Sequence, residues 1–216
     1  MSSILTEHEA KKLLSKYGIP VTKESIANSP DEAFAIASQI QTSVAMKISS
    51  PDISHKSDVG GVVLNVIADG ARTTYDKIIS QIKKVAPLAR IEGILVQQMA
   101  PPGQEIIVGL KKDSQFGHAL MFGLGGIFVE VYKDVSFRVA PIGKKEALDM
   151  ISEIKGYPIL KGIRGRKPAD IEAVASVLVS VSEMSQKENI LELDINPLIV
   201  GETGAIAVDA RAMMED

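Results

Sequence analysis

Three stretches of this 216-residue chain carry residue types at spacings that suit phosphate chemistry. The first is Val44–Val66, VAMKISSPDISHKSDVGGVVLNV. It reads as a short strand bearing Lys47, a loop bearing His55, the pair Gly60-Gly61, and a returning strand. A lysine ammonium is a compact charge that can hold a phosphate. A neutral imidazole is a nucleophile that can form a covalent intermediate. Position alone leaves Lys47 between a phosphate ligand and a solvated edge lysine, and His55 between a nucleophile and a surface histidine. The second stretch is the pair of C-terminal segments LELDINP (191–197) and AVDAR (207–211). Strand alternation puts Glu192, Asp194 and Asn196 on one face and sends Leu193 and Ile195 to the core. Asp209 and Arg211 share a face in the same way. Two neighbouring strands would aim Asp194, Asn196 and Asp209 at one point. Oxygen ligands of this kind suit Mg²⁺ with bound phosphates; the alternative is a polar sheet face in water. The third is Ile94–Met99 followed by Pro101-Pro102-Gly103, where a strand leaves one lobe and enters the next. Backbone groups at such a crossover can pair with an adenine edge, since ligand sites favour domain interfaces.

Other phosphate and metal signatures fail on spacing. Gly60-Gly61 and Gly123-Leu124-Gly125-Gly126 allow close backbone approach, but neither matches GxxxxGK[ST] of a P-loop. GLGG is not GxGxxG, which disfavours a dinucleotide fold. His8, His55 and His118 form no HxH or HxxxH pair, so a histidine metal site is not expected.

The elements that must position these residues follow from pattern. Thr6–Tyr17 predicts a helix, with Thr6 and Glu9 in capping-box register and Gly18 and Pro20 as its stop. Val21–Ala27 predicts a strand, and Ser29-Pro30-Asp31 opens a helix with Ala33, Phe34, Ala37 and Ile40 on one face. Val44–Ile48 and Gly61–Ala68 predict paired strands, Arg72–Lys84 a helix and Ile91–Met99 a strand. Pro101-Pro102-Gly103 is the strongest breaker and sets a boundary between subdomains 1–100 and 101–216. The second half predicts strands at 105–111, 119–122, 128–132 and 136–141, and a helix at 144–154. A loop at 157–168, a long apolar helix at 169–187 and strands at 191–195 and 205–209 complete it. The mixture is not a regular βαβ alternation, which points to an α+β fold.

Composition narrows the function. Hydrophobic residues make up 45% and charged residues 24%, so a packed core is expected. A net charge of −3 and 4% aromatics give neither the basic face nor the stacking platforms of a nucleic-acid binder. The absence of cysteine excludes disulfides and thiolate metal sites. MSSILTEHEAKKLL has acids where a signal peptide is basic and then apolar, and no apolar run reaches the roughly 18–20 residues of a membrane span. A cytoplasmic protein is expected.

The set resembles the ATP-grasp fold: a strand lysine (Lys47), the hinge VQQM before PPGQE, then LDINPLIV followed by AVDAR. More closely, it is similar to the ATP-grasp (beta) subunit of the ADP-forming acetyl-CoA synthetases, in the NDP-forming acyl-CoA synthetase family related to succinyl-CoA synthetase. SPDISHKSDVGGV (50–62), GQEIIVGLKKDSQFG (103–117), MFGLGGIFVEVYKDVSFRVAP (121–141), ILKGIRGRKPADI (159–171) and LELDINPLIV (191–200) carry the resemblance over nearly the whole chain.

That resemblance implies two α+β subdomains with the nucleotide site between them. It implies the reversible reaction acyl-CoA + ADP + phosphate = acid + CoA + ATP, with His55 as a phosphohistidine on a loop that swings. Lys47 is implied to hold nucleotide phosphates. Gln97, Gln98 and Met99 would line the adenine hinge, chiefly through backbone, and Glu105 would touch ribose or phosphate. Asp194, Asn196 and Asp209 would bind Mg²⁺, and Arg211 would steady phosphates. Many ATP-grasp enzymes carry glutamates where this chain has Gln97-Gln98. The chain has no Rossmann-like CoA module. The resemblance, with this absence, implies a separate CoA-binding alpha subunit, which in that family carries a second phosphohistidine, in a hetero-oligomer. Two competing readings are a free-standing ATP-grasp carboxylate–amine ligase, which needs no histidine relay, and a non-catalytic nucleotide-sensing module.

Overall fold

The computed structural model describes residues 2–53, 55–126, 129, 131–163, 165 and 167–215. The first 21 residues form β1 (Ser2–Leu5) and α1 (Glu7–Lys16). Residues 22–99 form β2 (Glu24–Ala27), α2 (Pro30–Ile40), β3 (Val44–Ser49), β4 (Val62–Val66), α3 (Ala71–Val85) and β5 (Gly93–Gln98). The remainder forms β6 (Gln104–Asp113), β7 (Gly117–Leu124), β8 (Val135–Val139), α4 (Lys144–Glu153), α5 (Tyr157–Leu160) and α6 (Ile171–Met184). It ends in β9 (Ile190–Val200), β10 (Ala205–Ala207) and β11 (Ala210–Glu215). Among the described residues these strands pair antiparallel, with one isolated parallel bridge between Val21 and Ala207, and the fold is α+β as expected.

Helix starts are written locally. The Glu9 carboxylate accepts the Thr6 backbone N–H at 2.8 Å, and Thr6 Oγ1 accepts the Glu9 N–H at 3.5 Å, the expected capping box. Ser29 caps α2 by accepting the Glu32 N–H at 3.2 Å, with Pro30 in the first turn. Asp170 caps α6 through the Ala173 N–H at 2.9 Å.

The chain divides into two compact units, Thr22–Met99 and a second made of Met1–Val21 with Ala100–Asp216. The first 21 residues, expected with the N-terminal subdomain, thus belong with the C-terminal one. β1 pairs with β11 from Ser2↔Glu215 to Leu5↔Ala212, and the Ala207 N–H donates to Pro20 O at 2.8 Å, so both ends of this segment are tied to the larger unit. The sheet of this larger unit runs β1-β11-β9-β6-β7-β8, with β10 beside β9. One sheet face supplies Ile106, Val108, Leu110, Leu120, Phe122, Leu193, Ile195 and Leu198 to a core shared with Leu14, Met150, Leu178 and Val181. Alternate residues, among them Asp194 and Arg211, lie on the opposite face.

The smaller unit has sheet order β2-β5-β3-β4. Ala33 and Ala37 of α2 and Ile78 and Ile82 of α3 pack with Val44, Met46, Ile48, Ile94 and Val96. Two further expectations are corrected. Tyr157–Leu160, read as loop, is one helical turn with Pro158 in its first turn, where proline's missing N–H costs nothing. Of the strand expected at 128–132, Val131 and Tyr132 form a turn, and residues 128 and 130 lie outside the described residues. No helix among the described residues is long and apolar enough to cross a membrane.

Candidate active site

In the smaller unit, β3 lies between β5 and β4. Lys47 is therefore on an inner strand, and the edge-lysine alternative falls. Its residue is only 6% exposed, on the side of β3 away from Val44, Met46 and Ile48, as alternation requires. Ala45 pairs with Gln97 and Lys47 with Leu95, so Lys47 and Gln97 lie on one face, two positions apart in register. Gln97 is buried at 1% exposure; Gln98 and Met99 are half-buried. The Gln98 N–H donates to Lys23 O at 2.8 Å and the Met99 N–H to Ser43 O at 3.4 Å. These two backbone donors are engaged inside the unit, so the expected backbone recognition at the hinge narrows to carbonyls and side chains.

His55 is exposed on a loop anchored at both stems. Behind it, the Gly61 N–H donates to Lys56 O at 2.7 Å and the Ile48 N–H to Gly61 O at 2.7 Å. A Cβ on Gly61 would sit 2.6 Å from Ile48 Cγ2 and 2.9 Å from Lys56 O, so only glycine closes this turn. On the other side, Ile53 enters the core at 8% exposure. Asp52 accepts from Arg90 three times: the backbone N–H at 2.8 Å, Nε at 3.0 Å and a terminal nitrogen at 2.8 Å. The Arg90 side chain, aided by its backbone N–H, holds the Asp52 carboxyl down at about 2. Sequence reasoning missed this fork, because its halves are 38 residues apart with no local signature.

In the larger unit, Asp194 on β9 stands directly opposite Arg211 on β11. Leu193 and Ile195 are buried at 1% and 0% exposure, so Asp194 and its alternates leave the core as the pattern predicted. The Asn196 N–H donates to Asp209 O at 3.1 Å, which sets Asn196 beside Asp209. Asn196 and Arg211 are exposed, while Asp194 and Asp209 are half-buried. Burial pushes the Asp194 carboxyl up to about 6, with Asp209 and then Glu192 adding to the rise and Arg211 opposing it. Two carboxylates this close raise each other's cost of ionisation, which a cation would relieve. Among the described residues no group of three or more His, Cys, Asp or Glu could hold a metal ion. The donor set is two carboxylates and an amide.

Glu105, at the start of β6, is exposed and abuts the GLGG turn. The Gly125 N–H donates to Glu105 O at 2.8 Å, and a Cβ on Gly125 would lie 3.0 Å from Glu105 Cβ. The glycines therefore bring that turn against Glu105. Of the Gly162–Arg166 loop, Arg164 and Arg166 lie outside the described residues.

Residues 1–214 match the family described as ATP-grasp domain. The chain is 50% identical over 212 residues to the acetate–CoA ligase (ADP-forming) I subunit beta of Pyrococcus furiosus, covering 97% of this chain and 91% of that one. It is 49% identical over 207 residues to the acetate–CoA ligase (ADP-forming) I of Archaeoglobus fulgidus, covering 95% of this chain but 30% of that longer protein. Among solved structures, it resembles the Candidatus Korarchaeum cryptofilum dinucleotide-forming acetyl-coenzyme A synthetase 1 in complex with coenzyme A, Ca-AMPCP and HgCl⁺. The TM-score is 0.96 at 47% identity, covering 99% of this chain and 94% of that one. A second structure of that enzyme holds coenzyme A and Mg-AMPPCP with its phosphohistidine segment pointing towards the nucleotide binding site. Its TM-score is 0.87 at 44% identity, with 99% and 93% covered.

Proposed function

Because this chain belongs to the ATP-grasp family, we propose that it is the nucleotide-binding beta subunit of an ADP-forming acyl-CoA synthetase, an acetate–CoA ligase in type. The observation that carries this is 50% identity to a beta subunit matched over 91% of its length, together with an exposed histidine on a loop fastened at both stems. The overall reaction is acyl-CoA + ADP + phosphate = acid + CoA + ATP. In the ATP-forming direction a terminal β-phosphate oxygen of ADP attacks the phosphorus on phosphorylated His55. A P–O bond forms, the N–P bond breaks, and its electron pair returns to the imidazole nitrogen. In reverse, the neutral imidazole attacks the γ-phosphorus of ATP and ADP leaves.

Such a transfer needs positioning and charge neutralisation more than covalent help. Lys47 supplies a fixed positive charge for nucleotide phosphates, supported by its burial on an inner strand. Gln97, Gln98 and Met99 take the base, and Glu105 beside the glycine turn takes ribose or phosphate. Asp194, Asn196 and Asp209 fit Mg²⁺: all donors are oxygens, and two carboxylates leave coordination positions for phosphate oxygens and water. Mg²⁺ held by these residues would neutralise phosphate charge. Arg211, opposite Asp194, steadies the phosphates.

The acyl and CoA chemistry belongs to a CoA-binding alpha subunit with its own phosphohistidine. The relative three times longer, of which this chain matches 30%, supports a fused counterpart of that pairing. The reading places the hetero-oligomer in the cytoplasm, where acyl-CoA and ADP meet.

The test is phosphoryl labelling of the two-subunit complex with γ-labelled ATP and Mg²⁺. The wild type should take acid-labile label on His55. His55→Ala should take none on this chain and lose ATP synthesis, while nucleotide affinity stays within about twofold. Full ATP synthesis by His55→Ala would end the relay reading.

A further inference from the structure

Among the described residues of the larger unit, the most deeply buried charged group is Lys11, at 1% exposure on α1. It lies outside the nucleotide machinery described above. Burying an ammonium is costly unless it is paired and hydrogen-bonded. Its Nζ donates to the carbonyl of Val208 at 3.0 Å. Glu7, one helical turn earlier and also buried, supplies a carboxylate 3.9 Å away.

The need for that donor arises in the sheet. β10 and β11 form one arm alongside β9, with Ala207 opposite Leu198 and Ala210 opposite Ile195. That register puts Val208 opposite Pro197, and the Val208 N–H donates to Pro197 O at 3.0 Å. Pro197 has no N–H to return. The Val208 carbonyl, on a half-buried residue, therefore cannot receive the amide its ladder partner would give, and a carbonyl withdrawn from water takes another donor. Lys11 Nζ fills that place. The next residue along the arm is Asp209.

We infer that Lys11 is a positioning residue for the metal site: by holding the Val208 carbonyl from inside the core, it fixes the backbone from which Asp209 presents its carboxylate. This rests on the Mg²⁺ reading of Asp194, Asn196 and Asp209. Glu7 has a different task, balancing the buried ammonium.

The experiment compares Lys11→Met, which keeps bulk but loses the donor, with Glu7→Gln, which loses the counter-charge but leaves the donor. Mn²⁺ binding to the two-subunit complex with ADP is read by electron paramagnetic resonance, alongside thermal unfolding. Lys11→Met should weaken Mn²⁺ about tenfold, the lower end of what groups behind metal ligands carry. It should raise the Mg²⁺ concentration needed for half-maximal His55 labelling, with the maximal rate regained at high Mg²⁺. Glu7→Gln should lower thermal stability yet leave Mn²⁺ affinity within about twofold. Unchanged Mn²⁺ affinity in Lys11→Met, or an equal loss in both variants, would overturn the inference. If Lys11→Met does not fold, the ¹⁵Nζ resonance of Lys11 in the wild type decides. It should shift on Mg²⁺ titration with the midpoint of metal binding; a resonance that does not move is equally fatal. Should the wild type bind no Mn²⁺ at all, the metal reading itself fails, a result distinct from either.

Discussion

The carboxyl of Asp194 should cost the metal-free protein stability, and Asp194→Asn should return it. Its pKa stands at about 6 in the fold, raised first by burial and then by Asp209 and Glu192, against Arg211. The ordinary value is 3.8. Between the two the folded chain holds more proton than the unfolded chain. Stability therefore falls as pH rises from about 4 to about 6 and stays lowered above that. A difference of roughly two pH units corresponds to ~3 kcal/mol at 1.36 kcal/mol per unit. Asp194 is only half-buried and water screens it, so ~1–2 kcal/mol is the expected size. Asparagine keeps the shape and cannot ionise. In EDTA, urea unfolding should find the two proteins closely matched near pH 4. The variant should be ahead by ~1–2 kcal/mol at pH 7.5. Mg²⁺ with ADP should then stabilise the wild type, by ~2.7 kcal/mol at a hundred times its dissociation constant, and the variant far less. A variant no more stable than wild type at pH 7.5, or a difference that ignores pH, would refute the account of this carboxylate.

Further outcomes follow from the anchors of the site. Removing the fork with Arg90→Ala, which unties one stem of the loop, should slow His55 labelling by ATP. Nucleotide affinity should stay unchanged; an unaltered rate, or equal weakening of both, would show the fork to be ornamental. Because Arg90 holds Asp52 at about 2, below its ordinary value of 3.8, the fork's support should persist down through pH 5 and fade only as pH falls below about 4. Thr6→Ala, which removes one half of the α1 capping box, should lower stability by ~1 kcal/mol in thermal or urea unfolding. A loss under a few tenths would deny the cap a role.

How much of this could be read beforehand divides along one physical line. Features set by neighbours in sequence were legible. Alternation in LELDINP told which residues leave the core, and Leu193 and Ile195 at 1% and 0% exposure obey it. The Thr6–Glu9 box and the Ser29-Pro30 start were visible for the same reason, since each bond spans three residues. Features set by distant partners were not. β1 has no alternating pattern in Ser2–Leu5, and exists because the edge of β11 offers it a ladder. That pairing, with the bonds of Lys11 to Val208 and of Lys16 and Tyr17 to Glu188, sets the first 21 residues in the larger unit.

Lys11 shows the limit most sharply. Glu7 and Lys11 stand four apart on a helix rich in charge, the spacing that a solvated pair on an exposed face also has. Nothing within a turn of them distinguishes that from burial. The distinguishing residue is Pro197, whose missing N–H leaves an acceptor in the opposite arm of a sheet. The donor that answers it is 197 residues from Val208. A local pattern states which face a residue occupies. The unmet hydrogen bond that makes a buried charge worth keeping is created only when the sheet closes. The residues that steady a site from behind are therefore the last to be seen in a sequence, even where those that face the substrate are plain.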